Sequence, residues 1–293
     1  MNSYPFQARS YAKINLFLRV LGRRKDGYHQ LESLMAPVSL YDDLAFATGP
    51  EFTYEGPQWL NNCENLIYRA WELLQKHYGI GGLRVAHRKN IPAGGGMGGG
   101  SSNAAATLSA AAQLYRLNLG YRELAPLALQ LGADVPFFLR CTPALARGVG
   151  EDLMDVPLPP QHVVLINPGY GVSTPAVYRN LGLSMGAQVA KPGNFEVSDE
   201  DLWKLSHLVE LCYNDLEIGA RPLMPDLDVM REALLQNGAL CSRLSGSGST
   251  VFGLYADRES AQQARELIAS ALPEASVYAV QTLPPLTEAH AGV

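Results

Sequence analysis

The stretch Pro92-Ala-Gly-Gly-Gly-Met-Gly-Gly-Gly-Ser-Ser-Asn103 decides how this sequence is interpreted. Six of the seven residues from Gly94 to Gly100 are glycine, and such a run is costly to order because glycine loses the most backbone freedom on folding. The alanine-rich sequence that follows predicts a helix from about Ser102 to Leu117, with Ser101 or Ser102 as its N-cap. Free backbone N–H groups beside a helix N-terminus form an anion site, and phosphate is its usual occupant.

Three other interpretations fit the glycine-rich stretch less well. A P-loop requires a lysine where this chain has Gly100. A dinucleotide-binding fingerprint matches at residues 94–99, but no acidic residue follows between Met97 and Arg122 to bind a ribose. A flexible linker would continue into polar sequence and not into an alanine-rich helix. A phosphate-binding loop is therefore favoured.

Composition narrows the class of protein. The chain has 293 residues, of which 17% are charged, and a net charge of −5, so no basic surface for nucleic acid is expected. No apolar run is long enough to cross a membrane, and the N-terminus does not resemble a signal peptide, which favours a cytoplasmic protein. The four cysteines and six histidines show no metal-ligand spacing and predict reduced thiols.

The order of predicted elements indicates an α+β fold. Two strands, Tyr11–Leu21 and Tyr28–Val38, are joined by an Asp-Gly turn. A proline-rich seam near residue 157 predicts two domains, 1–157 for ATP binding and catalysis and 158–293 at the C-terminus. A mobile loop is expected over 183–200 and a frayed tail over the last ten residues or so. Further predicted helices span 65–78, 122–131, 201–209, 226–236 and 260–269, and further strands span 82–89, 162–166, 249–255 and 275–280.

Two charged residues in apolar surroundings are candidates for catalysis. Asp134 follows Leu131-Gly-Ala and precedes Val-Pro-Phe-Phe138, where a carboxylate loses water and needs a partner or a task. Lys13 lies in an otherwise apolar strand, on the same face as Asn15 and about 7 Å from it. From the residues alone, Asp134 also suits a turn at a helix end, and Lys13 also suits an exposed strand edge.

The glycine-rich stretch resembles the phosphate loop of the galactokinase, homoserine kinase, mevalonate kinase and phosphomevalonate kinase (GHMP) superfamily, with Met97 replacing the commoner leucine. Ala-Lys13-Ile-Asn-Leu and Gly-Ala-Asp134-Val-Pro-Phe-Phe are similar to two further motifs of that superfamily. The resemblance implies an ATP-dependent kinase that uses Mg²⁺, in which Lys13 and Asp134 form the catalytic pair. It also implies a ribosomal protein S5 domain 2-like N-terminal domain and a ferredoxin-like C-terminal domain.

Within the superfamily, the doubled glycine triplet resembles the phosphate loop of one branch. Enzymes of that branch phosphorylate the 2-hydroxyl of 4-diphosphocytidyl-2-C-methyl-D-erythritol in the non-mevalonate isoprenoid pathway. In that branch a Gly-Tyr-His element recognises cytosine, which implies a cytidine diphosphate substrate for Tyr28-His29, with Tyr178 closing from the other side. These side chains suit a base chemically, because an aromatic ring can stack on it and an imidazole can form hydrogen bonds with its edge. Leu244–Thr250 resembles a third superfamily motif that closes over the phosphates.

The resemblance thus assigns three sets of site residues. The catalytic residues are Lys13 and Asp134. The ATP-binding residues are Pro92, Ala93, Gly94, Gly95, Gly96, Met97, Gly98, Gly99, Gly100, Ser101, Ser102 and Asn103. The substrate-binding residues are Asn15, Tyr28, His29, Thr174, Pro175, Tyr178, Ser245 and Gly246. The expected partners are ATP and a small cytidine diphosphate substrate, with no nucleic acid and no membrane, and the chain is expected to be a monomer or weak homodimer. A kinase for mevalonate, homoserine or a sugar, an RNA-binding module and a nicotinamide-dependent oxidoreductase stay open as alternatives.

Overall fold

The computed structural model describes residues 4–193, 195 and 200–285. Strands and helices are both present, as predicted. The strands of the described residues are β1 (Phe6–Arg23), β2 (His29–Gly49), β3 (Thr53–Glu55), β4 (Gly82–Arg88), β5 (Ala144–Gly148), β6 (Asp152–Asp155), β7 (His162–Asn167), β8 (Cys241–Leu244), β9 (Val251–Tyr255) and β10 (Ser276–Gln281). The α-helices are α1 (Leu66–Tyr78), α2 (Gly99–Leu114), α3 (Tyr121–Leu131), α4 (Val135–Arg140), α5 (Thr174–Asn180), α6 (Leu205–Leu211), α7 (Leu216–Ala220), α8 (Leu227–Gln236) and α9 (Arg258–Ala271). Short 3₁₀ segments occupy Gln58–Leu60, Glu200–Trp203 and Arg221–Leu223.

The strands form two sheets. The first has the order β3-β4-β2-β5-β6, and β1 pairs along β2. All its pairs are antiparallel except β3 with β4. The second sheet has the order β10-β7-β9-β8 and is antiparallel throughout. The β1–β2 hairpin turns at Gly27, whose φ of +90° is readily adopted only by glycine.

Three apolar cores hold the molecule together. One lies between the first sheet and helices α1 to α4. A second joins the two sheets, because residues of β1 such as Ile14 and Phe17 pack with Leu165 of β7 and Phe252 of β9. A third lies between the second sheet and helices α5, α7, α8 and α9. The middle of β1 is therefore covered on both faces, which buries its polar residues Lys13 and Asn15 inside the protein.

The structure corrects two local predictions. Helix α2 begins at Gly99 with Gly98 as its N-cap, not at Ser101 or Ser102, because Gly98 is the last left-handed residue (φ +68°) and the two glycines after it enter the helix. The solvent-facing interpretation of Lys13 is also wrong, since only 4% of this residue is exposed although β1 lies beside β2 at the edge of the first sheet. A bulge between Asn15 and Phe17 shifts the register of β1 and interrupts the simple alternation read from the sequence.

The predicted boundary at residues 157 and 158 falls in the connection between β6 and β7, and it stays a prediction. Part of the loop expected over 183–200 and most of the expected tail lie outside the described residues. None of the helices that the structure describes is both long enough and apolar enough to cross a bilayer.

Candidate active site

The glycine loop joins β4 to α2 in a conformation that requires its glycines. Gly94, Gly96 and Gly98 have φ values of +67°, +74° and +68°, the left-handed region that side chains disfavour. A Cβ on Gly96 would lie 2.3 Å from the carbonyl oxygen of Ser245, so the loop also passes too close to the turn after β8 for a side chain. The Ser245 hydroxyl donates to the Gly96 carbonyl oxygen at 3.3 Å. These contacts fix the conformation of the loop and therefore the position of the N-terminus of helix α2, which follows it.

A cavity of about 320 Å³ lies along this loop. Its other walls come from the segment that precedes α1, from the first residue of α1 and from the residue that follows β4. The lining residues outside the loop are Trp59, Leu60, Glu64, Asn65, Leu66 and Lys89. The cavity thus combines backbone N–H groups and a helix N-terminus with apolar side chains, a combination that suits the phosphates and base of a nucleotide. We refer to it as the nucleotide cavity.

Lys89 is the cation of the nucleotide cavity, and the sequence did not single it out. Its Nζ donates to Asp42 Oδ2 at 2.6 Å, and a Cβ on Gly99 would lie 3.0 Å from Nζ. The other oxygen of Asp42 accepts from the backbone N–H groups of Asn90 and Ile91 at 2.7 and 2.8 Å. Asp42 therefore anchors the backbone that leads into the loop.

Two opposing effects set the pKa values of this pair. Burial raises the pKa of Asp42, but the hydrogen bond from His87 and the charge of Lys89 lower it to about 2. Burial also lowers the pKa of Lys89, and the charge of Asp42 counteracts that effect only in part. The ammonium group at the nucleotide cavity thus depends on its carboxylate partner. A spacing of 47 residues separates the two, so no local sequence pattern connects them.

A second, larger cavity of about 950 Å³ adjoins the first, since Gly96, Gly98 and Ser101 line both. Lys13 and Asp134 line this second cavity. A group bound to the loop from the nucleotide cavity therefore faces a molecule that occupies the second one. We refer to the second cavity as the acceptor cavity.

Lys13 is held at this junction by its backbone and its side chain. Its N–H donates to the carbonyl oxygen of Met97 at 3.0 Å, which ties β1 to the loop. Its Nζ donates to Asn15 Oδ1 at 2.5 Å and lies 3.7 Å from Asp134 Oδ2. Asn15 in turn donates from Nδ2 to the Ser33 hydroxyl at 2.8 Å. The amide of Asn15 is thereby oriented, and it fixes the lysine.

Asp134 immediately precedes α4 as its N-cap residue, but its side chain makes no capping hydrogen bond. Its carboxylate is instead open to the acceptor cavity, with 38% of the side chain exposed, whereas the side chain of Lys13 is only 5% exposed. A carboxylate beside a buried ammonium and next to a phosphate-binding loop is arranged to accept a proton from a bound hydroxyl. Both residues predicted for catalysis thus line the acceptor cavity, and their catalytic roles stay predictions.

An aromatic pair lies further along the acceptor cavity. The rings of His29 and Tyr178 are stacked with centroids 4.6 Å apart, and Tyr28 beside them is 65% exposed. Burial, followed by the charge of Arg23, lowers the pKa of His29, so its neutral form is favoured. Burial, followed by the charge of Asp134, raises the pKa of Tyr178. The two stacked rings leave no gap between them, so a base that binds Tyr178 uses its free face or displaces His29.

The remaining predicted residues divide into two groups. Thr174, Pro175 and Gly246 line the acceptor cavity, and the Thr174 and Ser247 hydroxyls are 2.7 Å apart. Ser245 does not line it and instead bonds to the glycine loop. Ser102 likewise lines neither cavity, because its hydroxyl accepts a hydrogen bond from Ser10 inside the protein at 2.7 Å. The predicted residues that line a cavity are Lys13, Asn15, Tyr28, His29, Pro92, Ala93, Gly94, Gly95, Gly96, Met97, Gly98, Gly99, Gly100, Ser101, Asn103, Asp134, Thr174, Pro175, Tyr178 and Gly246.

Comparison with known proteins agrees with this geometry. Residues 65–141 match the family model described as the GHMP kinases N terminal domain. Residues 200–274 match the model described as GHMP kinases C terminal. The chain belongs to the GHMP kinase family. The α+β prediction is confirmed, as is the predicted membership of this family.

Curated relatives within this family share one description. A 4-diphosphocytidyl-2-C-methyl-D-erythritol kinase of Sinorhizobium medicae is 40% identical over 286 residues, covering 92% of this chain and 93% of the relative. The protein of the same description from Syntrophotalea carbinolica is 41% identical, covering 88% of this chain and 92% of its own length. Both relatives are thus similar to this chain over most of its length.

Solved structures give the same result. A crystal structure of 4-(cytidine 5'-diphospho)-2C-methyl-D-erythritol kinase superposes with a TM-score of 0.78 at 38% identity and covers 94% of this chain and 99% of its own. Mevalonate kinase of L. major, solved with R-mevalonate, superposes with a TM-score of 0.70 at 18% identity, covering 96% of this chain and 97% of its own. The second match shows the shared fold alone.

Proposed function

We propose that this GHMP kinase transfers the γ-phosphate of ATP to the 2-hydroxyl of 4-diphosphocytidyl-2-C-methyl-D-erythritol, a step of the non-mevalonate isoprenoid pathway. The observation that carries the proposal is the position of Lys13 and Asp134, which lie where the nucleotide and acceptor cavities meet at the glycine loop. The relatives of this description, 40% and 41% identical, support the choice of acceptor.

The proposed mechanism assigns one task to each group. The amides of the glycine loop and the N-terminus of α2 bind the phosphates of ATP. The acceptor oxygen attacks the γ-phosphorus as the bond to the bridging oxygen breaks, and Asp134 takes the hydroxyl proton. Lys13, fixed by Asn15 at 2.5 Å, orients the carboxylate and neutralises charge that develops on the transferred phosphoryl group. ADP and the phosphorylated alcohol are the products.

The acceptor cavity has features that suit a cytidine diphosphate substrate. Its volume of about 950 Å³ is large enough for a nucleoside diphosphate derivative. His29 and Tyr178 offer a ring edge with hydrogen-bonding nitrogens and an aromatic face for a pyrimidine, and Arg23 and Arg179 supply positive charge along the wall. Mevalonate carries no base and no diphosphate, so it would leave these residues without a partner.

Mg²⁺ is proposed to arrive with ATP. The described residues contain no cluster of three or more His, Cys, Asp or Glu side chains able to hold a metal. Asp134 and Glu64 are the carboxylates that line the two cavities. This arrangement fits Mg²⁺, which is commonly held by nucleotide phosphates, water and one or two carboxylates. A cytoplasmic location and a monomer or weak homodimer stay predictions.

The direct test compares acceptors at saturating ATP and Mg²⁺. Turnover should be observed with 4-diphosphocytidyl-2-C-methyl-D-erythritol, and kcat/KM for mevalonate and homoserine should be lower by several orders of magnitude. Phosphorus NMR of the product should place the new phosphate on the 2-hydroxyl. A preference for mevalonate or homoserine would overturn the assigned substrate while leaving the kinase chemistry in place.

A further inference from the structure

Trp59 is the exposed tryptophan of the nucleotide cavity. It is 59% exposed, whereas Trp71 and Trp203 are 8% and 0% exposed. Single exposed apolar side chains are common on protein surfaces, but this indole lies in the wall of a cavity, where its ring is available to a ligand. Trp59, Leu60 and Leu66 are the large apolar side chains that line this cavity outside the glycine loop.

The backbone around Trp59 is fixed by local hydrogen bonds. Trp59 lies on the 3₁₀ turn Gln58–Leu60, in which the Leu60 N–H donates to the Pro57 carbonyl oxygen at 2.9 Å. Asn62 Nδ2 donates to the Trp59 carbonyl oxygen at 3.0 Å, and Asn65 Nδ2 donates to that of Leu60 at 2.9 Å. The side chain of Asn65 also caps α1 by accepting from the Ile67 N–H. The indole is therefore presented from a rigid turn, which lowers the entropic cost of binding against it.

The two sides of the cavity differ in chemistry. The glycine loop offers backbone N–H groups and the N-terminus of α2, which suit phosphates and not a base. The segment before and into α1 offers an exposed aromatic ring and two leucines, which suit a flat apolar ring. With Asp134 and Lys13 on the acceptor side of the loop, the terminal phosphate faces the acceptor cavity, and the base is left to the wall that carries Trp59.

We propose that Trp59 is the stacking platform for the purine base of the nucleotide. This inference rests on the proposed function, since it takes ATP as the occupant of the cavity. It adds a residue that belongs to none of the motifs singled out in the sequence. The stack should increase nucleotide affinity about tenfold without taking part in the chemical step, within the range measured for base–aromatic stacking.

The test uses the full-length enzyme and two probes, ADP and inorganic tripolyphosphate. ADP carries the base, whereas tripolyphosphate can occupy only the phosphate loop. Trp59→Ala should weaken ADP binding about tenfold, leave inhibition by tripolyphosphate unchanged and raise KM for ATP with little change in kcat. Trp59→Phe should keep most of the ADP affinity. Tyr78→Ala, which removes an exposed aromatic residue at the far end of α1 and outside the cavity lining, is the control and should change neither.

Tryptophan fluorescence gives a second readout. Iodide should quench the exposed Trp59 in the free enzyme, and saturating ADP should protect it. Equal losses of ADP and tripolyphosphate binding in Trp59→Ala would show that the residue only shapes the loop, which overturns the proposal. An enzyme that turns over ATP while ADP leaves iodide quenching unchanged would also overturn it. A wild-type chain that neither turns over ATP nor binds either probe would instead refute the proposed function itself.

Discussion

Lys13 Nζ lies 2.5 Å from the amide oxygen of Asn15 but 3.7 Å from the carboxylate of Asp134. The lysine is thus fixed chiefly by a neutral partner, and the carboxylate is not tied up in a close ion pair. Asp134 is also free of the capping role that its position before α4 would allow. A carboxylate with lone pairs available beside a phosphate loop is ready to accept a hydroxyl proton.

Replacing Asp134 tests this role. Asp134→Asn should lower kcat by about a hundredfold or more, because the amide cannot take the proton, while KM for ATP stays near normal. Steady-state kinetics with both substrates measure the effect. Asp152→Asn, which changes an exposed carboxylate on β6, serves as control. If kcat survives in Asp134→Asn, this residue is only part of the turn between α3 and α4.

The pairing of Lys13 with Asp134 predicts strong coupling between the two substitutions. Lys13→Met keeps a long side chain in the buried site but removes the charge, and it should lower kcat by about a hundredfold. The double variant should be little worse than the poorer single variant, because residues that act as a unit give non-additive losses. Fully multiplicative losses would indicate two independent roles. Lys76→Met, on the last turn of α1, controls for loss of a positive charge.

Two glycines of the loop give opposite predictions for the same substitution. A Cβ on Gly96 would lie 2.3 Å from the Ser245 carbonyl oxygen at a φ of +74°, so Gly96→Ala should distort the loop, raise KM for ATP and lower the melting temperature. Gly100 lies in α2, where its Cβ would have a normal 3.5 Å contact with Leu66. Gly100→Ala should therefore keep the conformation of the loop and be as stable or slightly more stable. Equal effects of the two changes would contradict the geometry of the loop.

The aromatic pair of the acceptor cavity predicts a change confined to one substrate. Tyr178→Ala should raise KM for the cytidine substrate about tenfold and leave KM for ATP unchanged, because the ring lines the acceptor cavity and not the nucleotide cavity. Tyr178→Phe keeps the ring and should behave almost like the wild type. Parallel increases in both KM values would indicate a general loosening of the site and not a contact with the base.

How much of the site was predictable depends on where its information lies in the chain. The loop, Lys13 and Asp134 were predictable because each has a local signal: a glycine run, or a charge in an apolar segment. The α2 boundary was not, because two glycines with helical geometry look like loop. Short helices such as α4 and α5, with 6 and 7 residues, carry too few turns for a periodic pattern.

Contacts between distant segments were the least predictable part. Asp42 and Asp43 are adjacent acidic residues in β2, and nothing in the sequence shows that only the first is fully buried beneath the loop. The pairing of β2 with β4 brings Asp42 to Lys89, and that register depends on the whole sheet. Trp59 could not be predicted for a different reason: a single aromatic residue in a polar stretch forms no periodic pattern.

The Asp42–Lys89 contact predicts a pH effect on ATP binding. Burial already lowers the pKa of Lys89, and the charge of Asp42 opposes that shift. In Asp42→Asn the opposition is lost, so the pKa of Lys89 falls further and its positive charge disappears as the pH rises through a lower value than in the wild type. KM for ATP in this variant should therefore begin to rise with pH at a lower pH than in the wild type, as measured by steady-state kinetics across a pH series. Asp43→Asn is the matched control and should follow the wild type. A larger KM whose pH profile is unchanged would show that Asp42 only anchors the backbone at Asn90 and Ile91.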